Sequence, residues 1–308
     1  MTGAKLTIGS RGSDLALYQA NFIREILEQQ HDCSVKISII NTAGDADKEL
    51  PFEMMEGTGY FTKELEEALL QGEIDVAVHS LKDVMTTQPQ GLMLGAVGYR
   101  IDRREILLIR KGSEITHGLL PVKSGGIIGT SSLRRKCQIA FHNPTLIVKD
   151  LRGNVPTRIA KLRNGHYDAI LIAAAGVKRL NLDLSEFITV LLDSQVFLPA
   201  PAQGMLGIQI RSKDSSVERI ISRLGSDTAS LESTLERGLL KLFNAGCSLP
   251  LGVYSETNGG NHRLKAVLGI RDGDHWAELK QIDVNGSDAH HLVNQAYAGL
   301  NKEVQTCA

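Results

Sequence analysis

Cysteine is scarce in this chain, and none of it is usefully spaced. Cys33, Cys137, Cys247 and Cys307 lie far apart with no C-x-x-C pair, so neither a zinc site nor a disulfide framework is indicated. The nine histidines also lack metal-ligand spacing. The adjacent His290 and His291 fall in a helical pattern, where neighbours point apart, and no metal is expected. An excess of one charge is missing too, because 34 Lys+Arg balance 35 Asp+Glu to a net charge of -1. Recognition of nucleic acid or a membrane surface by bulk charge is therefore excluded, and any anion site has to be local. No apolar run is long enough to cross a bilayer, and Met1–Lys5 leads into a strand pattern without a signal-peptide core. The expectation is a cytoplasmic protein. A G-x-x-x-x-G-K-[ST] loop is absent, which counts against a phosphate-handling transferase built on the turn Gly129–Arg135.

What is present is length and burial capacity. The 308 residues are 42% hydrophobic, too many for one compact core, and point to two or three domains. The first hundred residues read β-α-β-α-β: a strand at Lys5–Ser10, a helix at Leu15–Gln30 capped by Ser13 or Asp14, and a strand at Val35–Asn41. A helix at Thr62–Leu70, closed by Gly72, then feeds the strand that begins at Asp75. Residues 42–59 read as a long mobile surface loop. Strands follow at Leu92–Val97 and Glu105–Ile109, joined by a charged connection. The same grammar repeats with strands at Ile127–Thr130, Leu146–Lys149 and Ala169–Ala173 and helices at Ser132–Phe141 and Val155–Arg163, predicting two similar parallel-sheet domains. The proline-stiffened segment Phe197–Gly204 returns the chain to the first domain through a strand at Leu206–Arg211. A helix at Thr228–Phe243 leads to hairpin signals at Asn258-Gly259 and Asp272-Gly273 and a last helix at Ala289–Val304, a separate α+β domain. The expected limits are 1–100 with 200–220, 101–199, and 221–308.

The chemistry collects where strands end. Val76–Val78 runs directly into His79, Ser80, Lys82 and Asp83, and ligands of open α/β sheets bind beyond the carboxyl ends of strands. Asp83 is the candidate catalytic group, although an isolated Lys-Asp pair reads more often as a solvated turn with the Asp capping a following helix. Arg11 and Ser13 stand at a helix N-terminus, as do Thr130, Ser131, Ser132, Arg134 and Arg135; Arg152, Arg158, Lys178 and Arg179 follow two further strands. Arginine binds carboxylate or phosphate with a planar fork. Cationic groups at so many equivalent places imply a ligand carrying several carboxylates or phosphates. Cys247 lies in a tight Ala-Gly-Cys-Ser-Leu-Pro turn, whereas Cys137 and Cys33 read as buried and inert.

These motifs resemble the porphobilinogen deaminase (hydroxymethylbilane synthase) family over essentially the whole chain. The matching stretches are Arg11-Gly12-Ser13, Phe61–Glu66, Val78–Asp83, Gly129–Arg135, Leu151–Asn154 with Arg158, Ala175–Arg179, Gln203-Gly204 and Gly246-Cys247. The resemblance implies a monomeric cytosolic enzyme of heme and tetrapyrrole biosynthesis that joins four porphobilinogen molecules head to tail into hydroxymethylbilane, releasing ammonia. It implies a dipyrromethane cofactor bound through a thioether to Cys247, a thiolate being the nucleophile suited to trapping an azafulvene. Asp83 would assist amine departure and stabilise the cationic intermediates. Lys82, Asp83, Thr130, Ser131, Ser132, Arg134, Arg135 and Arg152 would hold the cofactor; Arg11, Ser13, Arg152, Arg158 and Arg179 would hold substrate carboxylates. The fold implied is α/β: two type II periplasmic-binding-protein-like domains with mixed, mostly parallel sheets and the active cleft between them, plus a small α+β C-terminal domain carrying the cysteine. Two departures stand out. Where many relatives carry lysines, the loop here reads Phe52–Thr58 with only Lys48 nearby, and Ala202 replaces a frequent glycine. A non-catalytic two-domain binder of a small polycarboxylate is the competing reading; it requires neither Cys247 nor a third domain.

Overall fold

The structure is a computed structural model that describes residues 4–42, 62–244, 249–273 and 275–301. The chain divides into two compact units, residues 1–101 with 204–233 and residues 102–203 with 234–308. In chain order the first unit opens with β1 (Ala4–Ser10), α1 (Asp14–Gln30), β2 (Cys33–Ile39), α2 (Lys63–Gln71), β3 (Val76–Ser80) and β4 (Leu92–Gly98). The second contains β5 (Glu105–Arg110), β6 (Ile127–Gly129), α3 (Leu133–His142), β7 (Ile147–Lys149), α4 (Val155–Arg163), β8 (Ala169–Ala173), α5 (Ala174–Arg179) and β9 (Phe187–Leu191). There follow β10 (Leu206–Arg211), α6 (Ser215–Ile221) and α7 (Asp227–Leu242), then β11 (Leu251–Asn258), β12 (Asn261–Asp272), β13 (His275–Gly286) and α8 (Ala289–Asn301). The expected 42–59 loop, apart from Thr42, and the Cys247 turn lie outside the described residues.

Both large sheets have the same plan. The strand orders are β2-β1-β3-β10-β4 and β7-β6-β8-β5-β9. In each, four strands run one way and the fourth in order, β10 or β5, runs against them. This is a mixed, mostly parallel α/β plan, the fold class expected from the sequence. Each sheet takes its reversed strand from chain that has just left the other sheet. Because β1 and β3 are parallel neighbours, as are β6, β7 and β8 in their order, their carboxyl ends share one edge of each sheet. Those shared edges place the turns that matter chemically.

Period-two alternation on the strands and 3.6-residue periodicity on the helices explain the layers. On one face of the first sheet, Leu6, Ile8, Val76, Val78 and Ile208 bury against Ala20, Ile23 and Leu27 of α1. On the other, Ala77 packs with Leu65 and Leu69 of α2. In the second unit Leu107, Ile128 and Leu171 pack with Ile139 of α3, while Ile106, Leu108 and Ile170 face Ile159 and Leu162 of α4. The β11-β12-β13 sheet buries one face under α7 and α8 and lays Val267 and Leu279 on the other against Cys137 of α3. That last approach is close: a Cβ on Gly269 would stand 2.6 Å from the Cβ of Cys137. Both hairpins predicted at Asn258-Gly259 and Asp272-Gly273 are present.

Ala202 is fully buried in the left-handed region, with φ 60, and its N–H donates to Glu236 at 2.6 Å. A Cβ in that conformation costs about 1–2 kcal/mol, partly offset by the greater freedom of glycine when unfolded. Ala202→Gly is therefore expected to stabilise the protein by up to about 1 kcal/mol, read as a rise of about 2 °C in the unfolding midpoint.

Candidate active site

One candidate cluster is built by the two turns that leave β1 and β3. After β1 the chain presents Arg11 and reaches Ser13, whose hydroxyl caps α1 by accepting the Ala16 N–H at 3.4 Å. After β3 a 3-10 turn covers Leu81–Asp83. It is pinned by the Leu81 N–H donating to the Met205 carbonyl at 3.0 Å and closed by the Val84 N–H on the Leu81 carbonyl at 3.2 Å. Leu81 and Val84 are buried, so the two residues between them have to turn outward: Lys82 is half-buried and Asp83 exposed. Gly207 leaves room beneath this turn: a Cβ there would lie 2.8 Å from Leu81 Cδ1 and 3.3 Å from Leu94 Cδ2, so those leucine side chains would have to shift.

Arg11, Ser13, Gln19, His79, Ser80 and Asp83 line one small cavity of about 70 Å³. Gln19 Nε2 donates to Ser80 Oγ at 2.8 Å. Behind the cavity lies a buried polar chain in which His79 Nε2 meets Gln209 Oε1 at 3.2 Å. Gln209 Nε2 donates to Glu66 Oε1 at 3.2 Å and to Gln88 Oε1 at 2.9 Å. Burial, aided by the nearby Arg11 charge and opposed by the Gln209 bond, pushes the His79 pKa down to about 4. The ring is neutral at physiological pH.

A second cluster, in the other unit, lies at the equivalent edge of its own sheet. Ser131 Oγ ties two turns together, donating to the Leu151 carbonyl and accepting the Leu151 N–H, each at 3.1 Å. Thr130 is buried and its Oγ1 accepts the Ser132 N–H at 3.3 Å. Arg134 and Arg135 differ from the expectation of ligand-facing forks, because each is only 5% exposed and both bind Glu105. Arg134 Nη2 donates to Glu105 Oε1 at 2.6 Å and Arg135 Nη2 to Glu105 Oε2 at 2.7 Å. Their Nη1 groups donate to the carbonyls of Leu198 and Leu171. The first turn of α3 faces the sheet, which places these guanidinium groups over the start of β5 and explains the difference. Arg135 Nε is buried and has no partner among the described residues.

Arg152 and Arg158 are half-buried after β7, with Arg158 Nε donating to the Gly153 carbonyl at 2.7 Å. Arg179 is buried at the end of α5, six residues beyond β8. Lys178 instead serves the fold, donating to Asp102 Oδ2 at 2.7 Å beside a bidentate Arg104. Burial pushes the Asp102 carboxyl upward, but the hydrogen bonds from Arg104 and Lys178 outweigh it and hold it well below the usual range. Sequence reasoning missed Glu105, Gln209 and Asp102. The one local signal for them was a charged residue opening the apolar run Ile106–Ile109. Of the cysteines, Cys137 is pushed up to about 12 by burial, and Cys33 is raised by burial and the neighbouring Asp32; both are buried, free thiols. Cys247 lies outside the described residues.

Both α/β units bring guanidinium and hydroxyl side chains to the carboxyl ends of their parallel strands, which is the arrangement of a ligand-binding α/β protein. Comparison with known proteins narrows that class. Residues 6–219 match the family model "Porphobilinogen deaminase, dipyromethane cofactor binding domain", and residues 230–300 match "Porphobilinogen deaminase, C-terminal domain". The porphobilinogen deaminase of Sulfurimonas denitrificans is 43% identical over 280 residues, 90% of this chain and 88% of that protein. That of a Nitratiruptor species is 40% identical over 301 residues, 97% and 92% of the two chains. The chain belongs to the porphobilinogen deaminase family. It is accordingly an enzyme of tetrapyrrole biosynthesis, a transferase that condenses porphobilinogen with a dipyrromethane cofactor, and the non-catalytic binder falls away. Among solved structures, an ancestral arginine-binding protein bound to arginine is similar with TM-score 0.39 and 15% identity, over 72% of this chain and 91% of that one. A probable amino-acid transporter binding protein of Bacillus subtilis gives TM-score 0.45 and 12% identity over 79% and 96%.

Among the described residues no helix is long and apolar enough to cross a membrane, and no group of three or more metal-ligating side chains is present. The residues present fit a polycarboxylate cofactor, because the unpartnered, buried Arg135 Nε–H is a donor that only an acceptor from outside the described residues can satisfy.

Proposed function

We propose that Asp83 is the catalytic carboxylate of this enzyme and that Cys247 carries the dipyrromethane. The observation that carries the reading is the placement of Asp83 beside Arg11 and Ser13 in one cavity, on a turn clamped by buried Leu81. In this reading Arg11 and Ser13 hold a substrate carboxylate, so that the aminomethyl group of porphobilinogen lies toward Asp83. Asp83 hydrogen-bonds the leaving ammonium, faces the cation left when ammonia departs, and accepts the ring proton released after coupling. The bound dipyrromethane supplies the pyrrole carbon from which the chain grows. Lys82, Thr130, Ser131, Ser132, Arg134, Arg135 and Arg152 hold its carboxylates, and Arg152, Arg158 and Arg179 those of the lengthening substrate chain. Arg134 and Arg135 act here through the donors that Glu105 leaves available.

The same reading divides the chain into three domains, 1–100 with 200–220, 101–199, and 221–308, the last bearing the cofactor. It makes the enzyme a cytoplasmic monomer that engages neither nucleic acid nor membrane. Intact mass followed by peptide mapping tests it. The purified protein is expected to exceed its sequence mass by two linked pyrrole units, all of it on the Cys247 peptide and absent in Cys247→Ala. A protein that stays unmodified after incubation with porphobilinogen would overturn the attachment.

A further inference from the structure

The buried chain behind the cavity has a direction. Gln88 Nε2 donates to the Met85 carbonyl at 2.8 Å, which fixes that amide and turns its oxygen toward Gln209. Gln209 Nε2 then spends both hydrogens, one on Gln88 Oε1 and one on the Glu66 carboxylate. Its oxygen is left facing His79 Nε2, and an oxygen can only accept. The imidazole proton therefore sits on Nε2, and Nδ1 keeps its lone pair. Nδ1 has no partner among the described residues and is not one of the unpartnered polar atoms sealed from solvent, while the ring lines the cavity shared by Arg11, Ser13 and Asp83.

We propose that His79, locked as the neutral Nε2–H tautomer by the Gln88-Gln209-Glu66 cluster, is a substrate-binding residue whose Nδ1 accepts a hydrogen bond from an N–H donor of porphobilinogen. The proposal rests on the placement of substrate beside Asp83. Every other polar side chain of the cavity wall is a cation, a carboxylate or a group able to donate. A neutral acceptor that cannot donate is what discriminates an N–H from a carboxylate oxygen, and so orients a ring bearing both. Gln209 is a positioning residue, acting only through His79. Of the charged groups, Arg11 from the turn after β1 acts on the imidazole and Asp83 from the turn after β3 shares its cavity, while Glu66 of α2 reaches it only through neutral Gln209 of β10.

The test uses the full-length enzyme with ¹⁵N-labelled histidine. At pH 7 the His79 signal, assigned by its loss in His79→Asn, is expected to show Nε2 protonated and Nδ1 bare. An Nδ1–H tautomer or an imidazolium would overturn the proposal whether or not the protein is active. In steady-state assays His79→Leu is expected to raise KM and lower kcat/KM by roughly 10- to 100-fold. His79→Asn, which restores an acceptor at the Nδ1 position, should recover to within about fivefold of the parent enzyme. Equal loss in both variants would reduce His79 to a packing role and refute the idea. Gln209→Glu sets a carboxylate against the ring and favours its protonated form. Its activity should fall from pH 8 to pH 6 where the parent enzyme's does not, and an unchanged profile would contradict the relay. An analogue lacking the aminomethyl group separates the donors: weaker binding to His79→Leu assigns the ring N–H, unchanged binding the ammonium. Dipyrromethane on Cys247, read by mass in every variant, keeps failure of this inference distinct from failure of the functional reading.

Discussion

Asp83→Asn is expected to reduce kcat by roughly 10²- to 10⁴-fold while leaving the unfolding midpoint within about 1 °C of the parent protein. The two halves of that expectation have different causes. Asp83 is exposed at the end of a turn whose rigidity comes from Leu81, Val84 and the Met205 carbonyl, none of which the substitution touches. An amide of the same shape retains a hydrogen-bonding oxygen but carries no negative charge, so it can neither face the cation left by ammonia nor accept the ring proton. Loss in kcat rather than KM marks an interaction made mainly in the transition state. A variant that kept full kcat would remove Asp83 from the chemistry and leave it a solvated turn residue.

Glu105→Ala is the second large effect, and it acts on stability. Glu105 is wholly buried and answers two guanidinium groups that are themselves nearly inaccessible. Removing one partner of a buried ionic cluster costs about 3–5 kcal/mol, because the charges left behind are desolvated without compensation. A fall of roughly 6–10 °C in the apparent unfolding midpoint is expected. Gln203 Nε2, which donates to Glu105 Oε1 at 3.2 Å and to the Arg103 carbonyl at 2.9 Å, would lose part of its anchorage as well. Glu105→Gln retains two acceptor-donor positions and should fall between the parent and Ala. An unchanged midpoint in Glu105→Ala would mean that Arg134 and Arg135 find other acceptors on relaxation.

Much of the fold can be read locally because it is written in local periods. The limits of β8, β10 and α4 coincide with the predicted ones, and α1 ends as expected at Gln30. Among the described residues, two short α-helices and one strand escaped. The six-residue α5 is Ala-Ala-Gly-Val-Lys-Arg, too short and too rich in small residues to show a face. The seven-residue α6 was likewise below the length at which periodicity shows, although Asp214 caps it. Strand β9 carries the β-branched run Ile188-Thr189-Val190 without a glycine or proline beside it to mark its ends. The site was legible to the extent that strand ends could be located, which was enough to bring Arg11, Ser13 and Asp83 together. What each arginine touches was not, because the partners are remote in the chain: Arg134 lies 29 residues from Glu105, and Lys178 lies 76 from Asp102. A charge at a strand end looks the same in sequence whether it waits for a ligand or is already neutralised inside the protein.

The exchange of reversed strands sets the order in which the protein can be finished during synthesis. Strand β10 stands between β3 and β4, so the half encoded first has a gap in its sheet until residue 211 has left the ribosome. The sheet encoded second has all five of its strands by Leu191 and can close while the earlier one is still open. For the interval in which residues 102–205 are being made, β3 and β4 present unpaired edges, the kind of surface on which nascent chains associate wrongly. Of the two five-stranded sheets, the one whose edge carries Asp83 is thus the first to be begun and the last to be completed.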